Sequence, residues 1–464
     1  MTTFSPRPPT IAALSTTALA AGLVVAGPLW LPREAALAAG LALFAIGLWA
    51  SSAVPAGLAS LAFFALAMLL DAAPASVVFS GFEARAFWLV FGGLILGIAV
   101  HHTGLGTRLA RRVGERLHGG YGLIIGGLVG IAVALSFVIP SSMARVMLLV
   151  PLTTEIAARF GFAPGTRGRT GMILAVILGS NQPAFSILTA NVPNVVLMGL
   201  AEHVHGVAFT YGEYLLLHFP VLGLGRAALL VAVILLLFPD RPRPRSESVR
   251  DAVAEAPLSR PERAVGVILA AAVALWATDW LHGISAAWVA LTAGLVCLIP
   301  GAGLTPKDTL NGRVNYEILF YLAGVLGLGG VLAHSGAGRI AAESLLPLLP
   351  LDPGNPLQSF VVLALGFIAI APFTTAAGLV AVITPLAGDI AHASGLPLET
   401  VLMTQVVGFS TMLLPYQVPP LMAGCLLAGE PVGKATRLTL TMAAITVVVL
   451  LPLTYLWWSL LGWL

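Results

Sequence analysis

The sequence predicts an all-α polytopic membrane protein of about eleven transmembrane helices and two re-entrant hairpins, its halves forming an inverted repeat. Three observations predict it. Of 464 residues 58% are hydrophobic and 9% charged, whereas an ordinary soluble domain carries about a quarter charged residues. Apolar segments recur from Ile11 to Leu464, and crossing a hydrocarbon core of about 30 Å takes roughly 20 helical residues. The second half also repeats the first, with the chain running the opposite way across the membrane.

Residues 1–35 predict an N-terminal transmembrane helix. The apolar run from Ile11 to Leu31 is too long for the core of a signal peptide, and no A-x-A-like processing site follows it. Spans are expected near 36–51, 55–71 and 86–107, and the last of these meets Arg108, Arg111, Arg112 and Arg116. Basic residues mark the cytoplasmic side. Residues 121–158 are too long for one ordinary span, are interrupted from Pro140 to Arg145, and end beside Arg159, Arg167 and Arg169. Two basic ends joined by two short apolar arms describe an inward-based hairpin whose tip lies inside the membrane. Spans near 171–202 and 213–238 complete a first repeat over 36–238, and residues 239–264 form a cytoplasmic linker.

The second repeat, 265–464, gives spans near 265–281, 284–300 and 315–337, an outward-based hairpin at 357–395, and spans near 400–424 and 437–463. This topology puts the N-terminus in the cytoplasm and 18 of the 23 Lys and Arg residues, Arg7 among them, on the inner side. At an offset of 232 residues His102, Thr103, Gly104 and Gly106 meet His334, Ser335, Gly336 and Gly338. Pro140 meets Pro372 at the same offset, and Ser142, Met143 and Ala144 meet Thr374, Thr375 and Ala376. NVPN at 191–194 has its counterpart in QVPP at 417–420. Inverted repeats with broken helices are a signature of secondary transporters, whose site lies between the repeats near the midplane.

Irregular backbone survives at membrane depth only where protein covers it or where it lines a wet cavity. The two hairpin tips and two Pro-broken helices therefore point to one cavity. Free amides and helix N-termini there suit an anion, while carbonyls and side-chain oxygens suit a small hard cation. Candidate substrate-binding residues are Ser141, Ser142, Arg145, Asn191, Pro193, Asn194, Thr374, Thr375, Gln417, Val418 and Pro419. Singly, each Ser or Thr is as readily a helix cap. Arg145 is the sharpest signal, because an arginine deep in a membrane is costly unless paired or hydrated, and neither hairpin tip offers an acid. It is expected to meet an anionic substrate or to act as a fixed charge in the cavity, the competing reading being snorkelling or capping. His102 and His334 are expected to be structural, and Asn181 and Gln182 to serve packing or substrate contact alike. Cys297 and Cys425 sit in apolar stretches and read as buried packing residues.

GLWASSAVPAGLASL (47–61), FWLVFGGLILGIAVHHTGLGTRLA (87–110), ILFYLAGVLGLGGVLAHSGAGRIA (318–341) and the two hairpins together resemble the divalent anion/sodium symporter (DASS) family over nearly the whole chain. The resemblance implies a homodimer whose transport domain moves as an elevator against a scaffold, carrying di- or tricarboxylates or related oxyanions with Na+ as coupling ion. It also implies sodium ligands at Ser141, Ser142, Thr374, Thr375 and Ala376. The sequence departs from the family at these points. The family's Ser-Asn-Thr tips read Ser141-Ser142-Met143 and Thr374-Thr375-Ala376, and Arg145 replaces a small polar residue. The first turn keeps Pro193-Asn194, whereas the second reads Pro419-Pro420-Leu421. Sodium coupling is therefore an open expectation beside proton coupling, exchange or uniport, or carriage of a different small solute.

Other classes fit less well. An enzyme on this scaffold lacks a metal-ligand cluster, a G-x-S-x-G elbow and a paired-carboxylate motif. A sensor would need more soluble chain than one short linker, and a channel would be unusual with two symmetric hairpins. The expected partners are a small anion, the lipid bilayer and a second copy of the chain, with no nucleic acid and no cofactor beyond Na+. A bacterial inner membrane is the expected location.

Overall fold

A computed structural model describes residues 8–51, 53–116, 119–242 and 257–464. Arg7 and residues 243–256 of the expected linker lie outside the described residues. Every regular element among the described residues is helical. Among the described residues seven helices are long and apolar enough to cross a membrane, and shorter apolar helices accompany them. The protein is an all-α polytopic membrane protein.

The first half begins with α1 (Pro8–Ala26), α2 (Arg33–Ser51), α3 (Ala56–Leu69) and α4 (Arg85–Thr103). Gly104 then adopts φ 78° and turns the chain into the short, amphipathic α5 (Leu105–Arg116). A positive φ is nearly free only for glycine. The second half makes the same corner: α13 (Tyr316–His334) is followed by Gly336 at φ 70° and the amphipathic α14 (Ala337–Leu345). Between these corners lie α6 (Tyr121–Ser136), α7 (Ser142–Arg159), α8 (Arg167–Gly179), α9 (Val192–His205), α10 (Tyr211–Leu237), α11 (Arg260–Ala277) and α12 (Ala286–Cys297). The chain closes with α15 (Pro356–Phe373), α16 (Ala376–Ser394), α17 (Leu398–Ser410), α18 (Pro419–Ala428) and α19 (Val432–Leu460).

Small residues set how closely the helices approach. α4 crosses α12 with Gly92 against the backbone of Ala290, and Gly294 returns the contact on Gly92. A Cβ on Gly92 would collide with the Ala290 carbonyl. Gly92→Ala is therefore expected to force the helices apart and to destabilise the protein by about 1–3 kcal/mol. A thermal melt in detergent checks this, and an unchanged midpoint would mean the crossing is looser than described.

Helices α1 to α4 and α11 to α13 form one packed group, and α6 to α10 with α15 to α19 form a second. They meet chiefly where α9 packs on α4 and α13. Four helices in the second group start beside a break, and sequence explains each one. Pro140 and the side chain of Ser141, which accepts from Ala144 N, stop α6 and start α7. Pro372 and Thr375, whose hydroxyl accepts from Gly378 N, do the same for α16. Pro183 and Pro193 hold 180–191 out of α-helix before α9, leaving short 3-10 turns, and Pro415, Pro419 and Pro420 do the same for 411–418 before α18.

Two expectations shift. The span expected at 171–202 is interrupted by a long unwound stretch that begins at Ser180, well before the NVPN motif. Arg145, expected in a hairpin break, lies on the first turn of α7, which also continues through Pro151. The hydroxyl cap at Ser141 lets helix resume as soon as Pro140 is passed.

Candidate functional site

The unwound stretch 180–191 is wholly buried, so its carbonyls need donors from the protein. Tyr214 Oη–H donates to Phe185 O at 2.8 Å, and Asn194 Nδ2 donates to Ile187 O at 2.8 Å. Gln182 O, Pro183 O and Ala184 O accept from donors within the stretch, and Arg145 serves two more. Its Nη2 donates to Ser180 O at 2.6 Å and to Ser142 Oγ at 3.0 Å, while its Nη1 donates to Ala190 O at 3.3 Å and to Ile139 O. One fully buried guanidinium thus joins the first hairpin tip to the unwound stretch. Ser142 passes the hydrogen bond on, donating its hydroxyl proton to Asn191 Oδ1. Asn191 Nδ2 is buried and finds no acceptor among the described residues.

The second break, 411–418, is held in a similar way. Arg226, fully buried on α10, donates from Nη1 to Ser410 O at 3.0 Å and from Nη2 to Thr411 Oγ1 at 3.4 Å. Gln417 Oε1 accepts from Leu413 N at 2.8 Å and Leu414 N at 2.7 Å, and Thr439 Oγ1–H donates to Leu413 O at 2.9 Å.

Both breaks face a cavity of about 650 Å³ between the two helix groups. Ser142, Val192, Ala376 and Pro419, the first residues of α7, α9, α16 and α18, all lie on its wall. Four helix N-termini therefore converge there, each presenting the positive end of its dipole, although α18 opens on Pro419 and Pro420 and offers no free amide. The opposite wall comes from α4 and α13 together with Trp49, Trp276 and Ala290. His101, His102 and Arg313 are exposed and lie at one end of the cavity, the end that carries α5. At the far end of α4, Arg85 pairs with Glu202 of α9 at 3.1 Å and ties the two groups together.

Of the residues expected from sequence, the cavity brings together Ser141, Ser142, Asn191, Pro193, Thr375, Ala376, Gln417, Val418 and Pro419. Arg145, Asn194 and Thr374 do not line it. Arg145 and Asn194 are wholly buried, their side chains spent on backbone carbonyls. Asn181 lies on the wall and also caps its own helix through Nδ2 to Ile177 O at 2.7 Å. His102 is on the wall, whereas its counterpart His334 is exposed elsewhere. Sequence reasoning passed over Tyr321, whose hydroxyl lies 3.4 Å from Thr375 Oγ1, and Thr189 on the wall. It also passed over Arg226, although an arginine inside an apolar span was the same signal that picked out Arg145.

The oxygens do not suit sodium at the first tip. Ile139 O, Ser142 Oγ, Ser180 O and Ala190 O converge as a cation cage would, but the guanidinium of Arg145 occupies it. Ser141 Oγ is engaged by an amide of α7, and Thr375 Oγ1 by an amide of α16. At the second break Ser410 O and Thr411 Oγ1 are taken by Arg226. Among the described residues no cluster of three His, Cys, Asp or Glu side chains could hold a metal ion.

A family model described as the sodium:sulfate symporter transmembrane region matches residues 11–464. A protein of Cupriavidus necator named only as a membrane protein is 25% identical over 402 residues, covering 83% of this chain and 76% of its own length. The L-tartrate/succinate antiporter of Escherichia coli is 25% identical over 372 residues, covering 74% and 72%. Among solved structures, the YdaH transporter of Alcanivorax borkumensis superposes with a TM-score of 0.56 at 17% identity over 93% of this chain and 99% of that one, a likeness of fold.

Proposed function

From the premise that this chain belongs to the sodium:sulfate symporter family, the divalent anion/sodium symporters that its motifs resemble, we propose that it carries a small dianion such as a C4 dicarboxylate across a bacterial inner membrane. The convergence of four helix N-termini on one cavity supports this reading. Amides at helix starts hold carboxylates without a cationic side chain, and among the described residues the one arginine on the wall, Arg313, already pairs with Asp308. The relative that is an L-tartrate/succinate antiporter makes those two dianions the first substrates to try. In this reading Ser141, Ser142, Asn191, Thr375 and Gln417 contact the carboxylates, and Pro193, Val418 and Pro419 hold the helix starts open toward them.

The second helix group, carrying both breaks, moves as an elevator against the first in a homodimer. The end of the cavity at His101, His102 and Arg313 shares its side with the basic helix α5. The positive-inside rule makes this the cytoplasmic side, so the conformation is inward-facing. The Arg85–Glu202 pair closes the outer side and must open when the group moves.

Reconstituted protein is expected to take up labelled succinate saturably into liposomes loaded with unlabelled dicarboxylate, with tartrate competing and neutral C4 compounds not competing. Uptake of a neutral solute with no anion uptake under the same conditions would replace this reading with carriage of a different small solute.

A further inference from the structure

The two hairpin tips and the turns beside them do not offer a dianion equal holds. At the first tip and turn Ser141 and Asn191 line the cavity, and Asn191 Nδ2 finds no acceptor among the described residues. The second tip and turn are poorer in side-chain donors. Ala376, Ala377 and Val418 carry none, α18 opens on Pro419 and Pro420, and Gln417 Oε1 is spent on two backbone amides. Thr375, Gln417 Nε2 and the first amides of α16 are what this side of the moving group offers. Thr375 Oγ1 accepts from Gly378 N, so its own proton is free to be donated.

The static helix group supplies what is missing. Tyr321 of α13 lines the same cavity, its ring edge-on to Trp49 with centroids 5.3 Å apart. Its hydroxyl lies 3.4 Å from Thr375 Oγ1. That is too long for a good bond between two hydroxyls, yet one carboxylate oxygen between them can accept from both. At the repeat offset of 232 residues Tyr321 meets Leu89 and Thr375 meets Met143, and all four line the cavity. A hydroxyl pair thus stands in the second half where the first half has an apolar pair.

Resting on the anion-carrier reading, we propose that Tyr321 is a substrate-binding residue supplied by the static group, its hydroxyl sharing with that of Thr375 the second carboxylate of the dianion while Ser141 and Asn191 hold the first. Thr375 travels with its hairpin and Tyr321 stays behind, so the site is complete only in the inward-facing conformation. That form binds the dianion more tightly than the outward-facing form, and loading shifts the carrier toward it by the same factor.

The test measures binding of labelled succinate to purified full-length protein in detergent, either free or held in this conformation. A short thiol cross-linker between Arg85→Cys and Glu202→Cys, whose native side chains lie 3.1 Å apart, holds it. Tyr321→Phe keeps the ring on Trp49 and removes the hydroxyl. In held protein it is expected to weaken succinate about tenfold, the worth of one hydrogen bond to a charged group, with the melting midpoint unchanged in the absence of succinate. Butyrate lacks the second carboxylate, and its competition with labelled succinate should be the same for tyrosine and phenylalanine. Equal succinate affinity in the two proteins would overturn the proposal, as would an equal loss for butyrate. Held wild-type protein that binds succinate more weakly than free protein would also overturn it, since the outward-facing form would then be the better binder. If the cross-link does not form, tyrosine against phenylalanine in free protein still decides. No binding of any dicarboxylate by the wild type would overturn the anion-carrier reading and this proposal with it.

Discussion

Asn191→Asp is expected to abolish binding of dicarboxylates while leaving the protein folded. Asn191 is on the cavity wall, its Oδ1 accepts from Ser142, and its Nδ2 is a buried donor with no acceptor among the described residues. Aspartate keeps the shape and the acceptor, so the contact with Ser142 survives. It replaces the free donor with a negative charge at the meeting point of four helix N-termini, where a substrate carboxylate would otherwise sit. Loss of one charge-assisted hydrogen bond and the added repulsion together amount to about 3 kcal/mol or more, roughly a hundredfold in affinity. The stabilisation of the protein by succinate measures this directly. Asn191→Ala removes the donor without adding charge and should lose less. If Asn191→Asp binds succinate as well as the wild type does, the carboxylate does not sit at α9.

Arg145→Met is expected to have the largest effect on stability of any single substitution at the breaks. Methionine fills much of the same volume but satisfies none of the four oxygens that the guanidinium serves. Buried acceptors left without donors cost about 1–3 kcal/mol each. Partial relaxation and water entry bring the sum to about 3–5 kcal/mol, as seen when a buried charged group is removed from its partners. The observable is a lower melting midpoint together with greater protease access in 180–191, the stretch whose carbonyls are released. Arg145→Lys should recover part of the stability, since an ammonium offers three donors in place of five. A methionine variant as stable as the wild type would mean that water already serves these carbonyls.

The two substitutions read different parts of one chain of contacts. Arg145 acts on the backbone of the unwound stretch, and Asn191 acts at the cavity wall. Ser142 stands between them, accepting from one and donating to the other. Its position explains why serine sits there: an alanine would break the relay, and a bulkier polar residue would crowd the start of α7.

Helices and breaks were legible from local chemistry. Apolar runs gave the spans, Pro140, Pro193, Pro372 and Pro419 marked the interruptions, and the His-Thr-Gly and His-Ser-Gly corners at 102–104 and 334–336 marked equivalent ends in the two halves. The breaks also identified most of the cavity wall, because a chain that leaves helix at membrane depth must find water or protein donors. Arg145 was misplaced for a physical reason. Its charge was expected to meet an anionic substrate or to stand as a fixed charge in the cavity, and the backbone carbonyls that hold it instead cannot be seen in the sequence.

The sequence by itself determined that the chain is a membrane-embedded helical repeat, that it breaks in four places, and that hydroxyls and amides gather at those breaks. Each of these follows from residues close to one another along the chain. Only the tertiary structure decided which oxygens are free. Carbonyls at Ile139, Ser180 and Ala190 are far apart in sequence, and a carbonyl belongs to every residue, so no residue letter reveals that they meet. The same packing turned Arg145 and Arg226 away from the cavity and into its supporting layer. A buried charge takes the nearest set of oriented dipoles, and those dipoles exist only once the chain has folded, within the first half for Arg145 and across the halves for Arg226.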